Sequence, residues 1–175
     1  ARTNGATEAE ADYIRTASAE VFQMLIASDD SEMFRTKLTT FAGANWEKIR
    51  KLPGAPKDLT KEKYISTMTN AMAAPWYKDH LLSDPASVLE GVECPVLALN
   101  GEKDVQVPPK ENLEGIRAAL THGGNTDFVV KELSGLNHLF QECETGAIHE
   151  YAKIQQTLSP VALNETSEWV LLHVK

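Results

Sequence analysis

The chain has 175 residues, 42% hydrophobic and 24% charged, enough to bury a core and too apolar for a disordered segment. Seventeen Lys and Arg against 25 Asp and Glu leave a net charge of −8, which argues against nucleic acid and anionic membrane surfaces as partners, since both select clustered cations. Two cysteines, Cys94 and Cys143, make neither a disulfide framework nor a zinc site, and no apolar run reaches the roughly 20 residues of a membrane-spanning helix.

Residues 1–83 read as short amphipathic helices. Thr7-Glu8-Ala9-Glu10 has the pattern of a capping box. Tyr13, Ile14, Ala17, Val21, Met24 and Leu25 then recur at helical spacing. Asp29-Asp30-Ser31 caps a second helix with Phe34, Leu38 and Phe41 inward, and Gly43 is expected to end or loosen it. Trp46, Ile49 and Leu52 suggest a third short piece, broken by Pro53-Gly54-Ala55-Pro56. Asp58 or Thr60 caps a further helix with Tyr64, Ile65, Met68 and Met72, which Pro75 is expected to stop.

The period then changes. Residues 94–101, Cys-Pro-Val-Leu-Ala-Leu-Asn-Gly, form a short apolar run bounded by Pro and Gly, the pattern of a parallel strand buried on both faces. Pro108-Pro109 opens a helix carrying Leu113, Ile116 and Leu120, and Gly123-Gly124-Asn125 closes it. Residues 127–133 are a second strand. Glu142 to Leu158 has no clear period and reads as a partly mobile loop. Ser159-Pro160 starts a last helix with Leu163, Thr166, Trp169 and Val170 expected on its inner face. Strand, helix, strand, helix is a βαβα unit with parallel strands, so residues 84–175 belong to the α/β class.

In open parallel sheets, ligands bind beyond the carboxyl ends of the strands. Asp104 follows the first strand and His138 the second, at equivalent places. A carboxylate bonded to one ring nitrogen fixes the imidazole tautomer and leaves the other nitrogen to take a proton from a nucleophile. Glu102 is a competing acid. Ser134 precedes His138 on the same loop and reads as a turn residue. Cys143 offers a thiol alternative, with no helix N-terminus to activate it.

Residues 92–120, VECPVLALNGEKDVQVPPKENLEGIRAAL, followed by FVVKELSGLNHLFQ, resemble the C-terminal part of the α/β-hydrolase fold. The resemblance covers about residues 84–175 and is strongest to bacterial esterase-like and acylaminoacyl-peptidase-like hydrolases. It implies that Asp104, in a Gly-x-x-Asp-x-x-Val-Pro segment, is the triad acid, and that His138 is the general base. It also implies that residues 1–83 form a helical cap, with Trp76 and Val107 near substrate. Leu139 beside His138 reads as packing.

The family's Gly-x-Ser-x-Gly elbow does not occur in this sequence, since no two glycines bracket a serine at that spacing. The chain also begins at Ala1 rather than Met. The expectation is a catalytic fragment of a serine hydrolase acting on a small ester or peptide, its serine upstream, inactive in isolation. The compartment, cytoplasmic or periplasmic, stays open, and no cofactor or metal is implied. The alternative is a non-catalytic interaction or oligomerisation module on the same scaffold. The unpaired edge of the first strand predicts a homo-oligomer or swapped dimer.

Overall fold

The computed structural model of the chain describes residues 5–174, apart from the side chain of Pro75. It divides into two compact units, one ending at Ser83 and the other beginning at Asp84. Among the described residues no helix is long and apolar enough to cross a membrane.

The first unit is helical: α1 (Glu8–Ile26), α2 (Ser31–Ile49), α3 (Lys61–Met72) and α4 (Pro75–Leu82). Its caps follow the local chemistry. The Glu10 amide donates to the Thr7 hydroxyl, and the Glu10 carboxylate accepts the Thr7 amide at 2.8 Å. Asp30 accepts the Met33 amide at 2.8 Å, and Thr60 rather than Asp58 accepts the Lys63 amide. The core gathers Val21 and Leu25 with Phe34, Leu38, Phe41, Ala42 and Ile49, and with Ile65 and Met72. Phe34 and Leu38 are wholly buried, and each stabilises the unit by about 1.5–3 kcal/mol through its burial.

One expectation fails here. Gly43 lies inside α2, which runs on through Trp46 to Ile49. The buried face formed by Phe34, Leu38, Phe41 and Ile49 outweighs the roughly 1 kcal/mol that an interior glycine costs. α3 ends at Met72 as expected, with Ala74 driven into extended backbone ahead of Pro75, and Pro75 also begins α4 as its first residue, where a missing N–H costs nothing.

The second unit contains α5 (Pro85–Glu90), β1 (Val96–Gly101), α6 (Pro109–His122), β2 (Phe128–Leu133), a 3-10 turn over Ile148–Lys153 and α7 (Pro160–His173). The fold class is therefore mixed α/β. The two strands pair in parallel, from Val96 against Phe128 to Gly101 against Leu133. Leu133, Leu136 and Ala162 form the small core, with Leu99, Phe140 and Leu158 packed on it. An ion pair between Lys131 and Glu165 joins β2 to α7.

The short helix α5 was not legible in the pattern. Asp84 caps it and Pro85 supplies its first position. The strand expected to be buried on both faces is half-buried from Val96 to Leu99, and only Asn100 and Gly101 are enclosed. Two strands alone cannot cover both faces, and among the described residues β1 has no second strand beside it. Cys94 lies before β1 and is exposed.

The inner face of α7 also differs from the expectation. Ala162 is buried, whereas Leu163 is 51% and Val170 40% exposed. The helix is apolar on more than one side, so spacing did not select the face. The segment without a clear period folds locally: the Glu150 carboxylate accepts the amides of Thr145 and Gly146 and the Thr145 hydroxyl.

Candidate functional site

Asp104 and His138 are carried by the two segments that leave the carboxyl ends of β1 and β2. After β1 the ladder continues for one more rung, the Glu102 amide donating to the Leu133 carbonyl at 2.9 Å. The Lys103 amide donates to the Leu136 carbonyl at 2.9 Å, and the Asp104 amide closes a tight turn onto Gly101. The two segments touch backbone to backbone at Gly101. A Cβ there would sit 2.3 Å from the carbonyl oxygen of Leu136 and 2.5 Å from that of Asn137. Only glycine permits that approach.

The loop bearing His138 is built around a buried amide. Asn137 is fully enclosed, and its Oδ1 accepts the amides of Leu139 and Gln141 at 2.9 and 3.0 Å. Its Nδ2 donates to Gln141 Oε1, and Gln141 Nε2 donates onward to the Gln156 carbonyl. Phe140 takes a left-handed backbone conformation, φ 54°. Such a conformation costs a non-glycine residue about 1 kcal/mol or more and persists only where the surroundings impose it. Here they do: the Phe140 amide is bonded to Asn137 and its carbonyl accepts the Ser159 amide.

His138 Nδ1 lies 2.9 Å from Asp104 Oδ2. An ionised carboxylate only accepts, so Nδ1 carries the proton and, in the neutral ring, Nε2 is a free base. Among the described residues Nε2 has no hydrogen-bond partner, and the side chain is 38% exposed. The Asp104 side chain is 5% exposed and saturated with donors. Oδ1 accepts the amides of Gln106 and Val107, both at 2.9 Å, and Oδ2 accepts Asn100 Nδ2 at 3.1 Å beside the imidazole. Burial pushes the carboxyl up, but the Val107 amide, the imidazole and the Gln106 amide together hold it below its ordinary value.

The other residues singled out by sequence fall as follows. Val107 contributes its backbone, the amide to Asp104 and the carbonyl to Asn100 at 3.3 Å, while its side chain is partly exposed. Trp76 lies on α4 of the helical unit, 63% exposed and edge-on to Tyr77, whereas the dyad belongs to the α/β unit. Glu102 accepts the Ser134 hydroxyl at 2.7 Å and the Gly135 amide at 2.8 Å, and these bonds lower its carboxyl. Ser134 is thereby turned to Glu102 and not to the imidazole. Cys143 donates to the Gly135 carbonyl, and burial raises its thiol. That is the wrong direction for a nucleophile.

Sequence reading overlooked the amides. Asn112 on α6 donates to Asn100 Oδ1 at 2.7 Å, and Asn100 donates to Asp104, so a helix, a strand end and the acid form one chain of hydrogen bonds. The available signal was a polar residue, Asn100, at the end of an otherwise apolar strand.

Among the described residues no group of three or more His, Cys, Asp and Glu side chains is arranged to hold a metal ion. The arrangement supports proton transfer: a tautomer-fixed imidazole, a buried anion behind it and an unoccupied basic nitrogen in front. Compared with known proteins, the chain matches no family model, no curated protein and no solved structure.

Proposed function

We propose that this chain carries the acid–base half of a serine hydrolase of the α/β-hydrolase class, cleaving a carboxylic ester or amide in a small-molecule or peptide substrate. The observation that carries the reading is the 2.9 Å bond between His138 Nδ1 and Asp104 Oδ2 with Nε2 left free. In the proposed reaction Nε2 removes the proton from a serine hydroxyl as that oxygen adds to the carbonyl carbon. Nε2 then returns the proton to the departing alcohol or amine. Asp104 stays ionised throughout and stabilises the imidazolium.

The serine and the oxyanion donors come, in this reading, from outside the 175 residues, because no Gly-x-Ser-x-Gly elbow occurs within them. The 175-residue chain alone then shows no ester turnover. The test is fluorophosphonate labelling of the longer protein containing this chain. Labelling that is lost in His138→Ala and strongly reduced in Asp104→Asn supports the reading. Undiminished labelling in His138→Ala removes it, as does turnover by the 175 residues alone that depends on His138.

A second reading, an oligomerising module without chemistry, draws on different observations. β1 has one open edge among the described residues, and α7 exposes Leu171 at 76% and Leu172 at 78% beside Leu163 and Val170. Such surfaces favour self-association. Sedimentation velocity of the chain at rising concentration tests this reading. A dimer that Leu171→Lys with Leu172→Lys dissolves favours it, and a persistent monomer counts against it.

A further inference from the structure

Asp104 Oδ2 serves two donors at once. His138 Nδ1 lies 2.9 Å from it, and Asn100 Nδ2 donates to it at 3.1 Å. The other oxygen, Oδ1, is taken up by the amides of Gln106 and Val107. Those two backbone bonds already fix where the carboxylate points, so Asn100 is not needed to aim it. Asn100 instead adds a partial positive charge at the oxygen that holds the imidazole.

The atom that Asn100 turns to Asp104 is set chemically. Asp104 Oδ2 and the Val107 carbonyl, 3.1 and 3.3 Å away, only accept, so the amide nitrogen faces them. Asn112 Nδ2 donates to the amide oxygen from the other side at 2.7 Å. Asn100 is 4% exposed and the Asp104 side chain 5%, and in such low-dielectric surroundings each hydrogen bond counts for more than it would in water.

A carboxylate that accepts more hydrogen bonds is a weaker base. It therefore stabilises an imidazolium less, and Nε2 releases its proton more readily. That matters to a group that has to take a proton and return it, since such a shuttle works best when its proton affinity lies near the working pH. We propose that Asn100 is a positioning residue that acts through Asp104 to weaken the hold of His138 Nε2 on its proton, with Asn112 keeping it in that orientation. The inference rests on the acid–base reading of Asp104 and His138 and names what sets the strength of that base.

The remaining charged side chains on the segments around the pair are engaged elsewhere or exposed. Glu102 accepts Ser134 and Gly135, Lys103 Nζ donates to the Cys143 carbonyl, and Glu142 accepts Gln156 and Ser159. Glu132 on β2 and Lys110 and Glu111 on α6 are exposed. The Tyr151 hydroxyl accepts Gln106 Nε2.

NMR titration of the His138 ring in the 175-residue chain tests the proposal, read as the midpoint pH of its Cε1 proton shift. Asn100→Leu is close in bulk and brings no donor. Its midpoint is expected to move up, a rise in ring proton affinity of about twofold to tenfold, the worth of one net hydrogen bond. Asn112→Leu is expected to move it the same way by less. Leu120→Ala, a change in a wholly buried residue on the same helix as Asn112, is expected to lower stability and leave the midpoint where it was. An unchanged or lower midpoint in a folded Asn100→Leu variant overturns the proposal, as does an equal rise in Leu120→Ala. If Asn100→Leu does not fold, Asn112→Leu decides, and no rise there overturns it. The titration needs no serine, so its failure is distinct from that of the hydrolase reading. A flat titration with His138-dependent fluorophosphonate labelling intact in the longer protein overturns this inference alone.

Discussion

Asn112 and Asn100, one on a helix and one at a strand end, are joined by a 2.7 Å hydrogen bond that fixes which way the Asn100 amide faces. With its Oδ1 occupied by Asn112, Asn100 presents Nδ2 to Asp104 and to the Val107 carbonyl. Replacing Asn112 by Leu removes the group that sets this orientation. We expect a loss of about 1 kcal/mol, the net worth of one such bond. Asn100→Ala is expected to cost more, about 1–3 kcal/mol, because it leaves the buried Asp104 oxygen a donor short. Urea denaturation measures both, and broadening of the His138 Nδ1 proton resonance reports the effect on the dyad.

Asp104 makes an acid-side prediction. Its folded-state carboxyl is held below the ordinary value, so the folded chain binds this proton less tightly than the unfolded chain. The stability it contributes is complete above the ordinary aspartate range and falls away as pH drops through the lower folded-state value. Urea midpoints measured from neutral pH downward are expected to decline less steeply in Asp104→Asn than in the wild type. An unchanged slope would show that the carboxylate is not held as described.

Gly101→Ala is the sharpest structural test. The added methyl meets two backbone carbonyls, neither of which can swing away as a side-chain end would. We expect destabilisation of about 1–3 kcal/mol or more, as for other overpacked sites. The His138 loop has to retreat, so the downfield proton signal of the Nδ1–Oδ2 bond is expected to disappear even where the chain remains folded.

His173 gives the opposite pH dependence. Its Nδ1 lies 2.7 Å from the Trp169 carbonyl and its Nε2 3.1 Å from Asp127 Oδ1, two acceptors that together call for a doubly protonated ring. The Trp169 carbonyl has the largest influence and raises its affinity for protons, burial opposes it, and Asp127 adds to the rise, which leaves the imidazole above its ordinary value. The stabilisation is complete below the ordinary imidazole value and is lost as pH rises through the raised folded-state value. NMR titration is expected to find His173 titrating above an ordinary histidine. His173→Gln is expected to remove the corresponding fall in thermal midpoint.

The two cysteines should react at different rates. Cys94 is exposed, while Cys143 is partly enclosed, bonded to the Gly135 carbonyl and held toward its protonated form. Iodoacetamide at neutral pH, followed by mass spectrometry, is expected to modify Cys94 first. Faster alkylation of Cys143 would reopen the thiol reading.

Part of this architecture was legible because its signals are local. Asp30, Thr60 and Ser159 cap helices through their own side chains, and the apolar run ending in Asn100-Gly101 marks a strand by composition alone. Asp104 and His138 were legible as a pair because parallel pairing makes the ends of β1 and β2 equivalent. What escaped depends on neighbours distant in sequence. Gly43 survives inside α2 because residues on either side of it share a buried face. The inner side of α7 is the one that buries Ala162 against Leu133 and Leu136, with Glu165 and His173 paired to Lys131 and Asp127 and Leu163 turned out. Asn112 and Asn100 are twelve residues apart and meet only once α6 has folded back onto β1.

The shared rung of Gly101 and Leu133 acts as a gauge for everything beyond it. Deleting or inserting a single residue in either strand would turn every side chain along it to the opposite face. The same edit would draw the carboxylate away from the imidazole, so core and dyad would be lost in one step. Length in these twelve strand positions is therefore less negotiable than side-chain identity, and a deletion scan should find the two strands intolerant where conservative replacements pass.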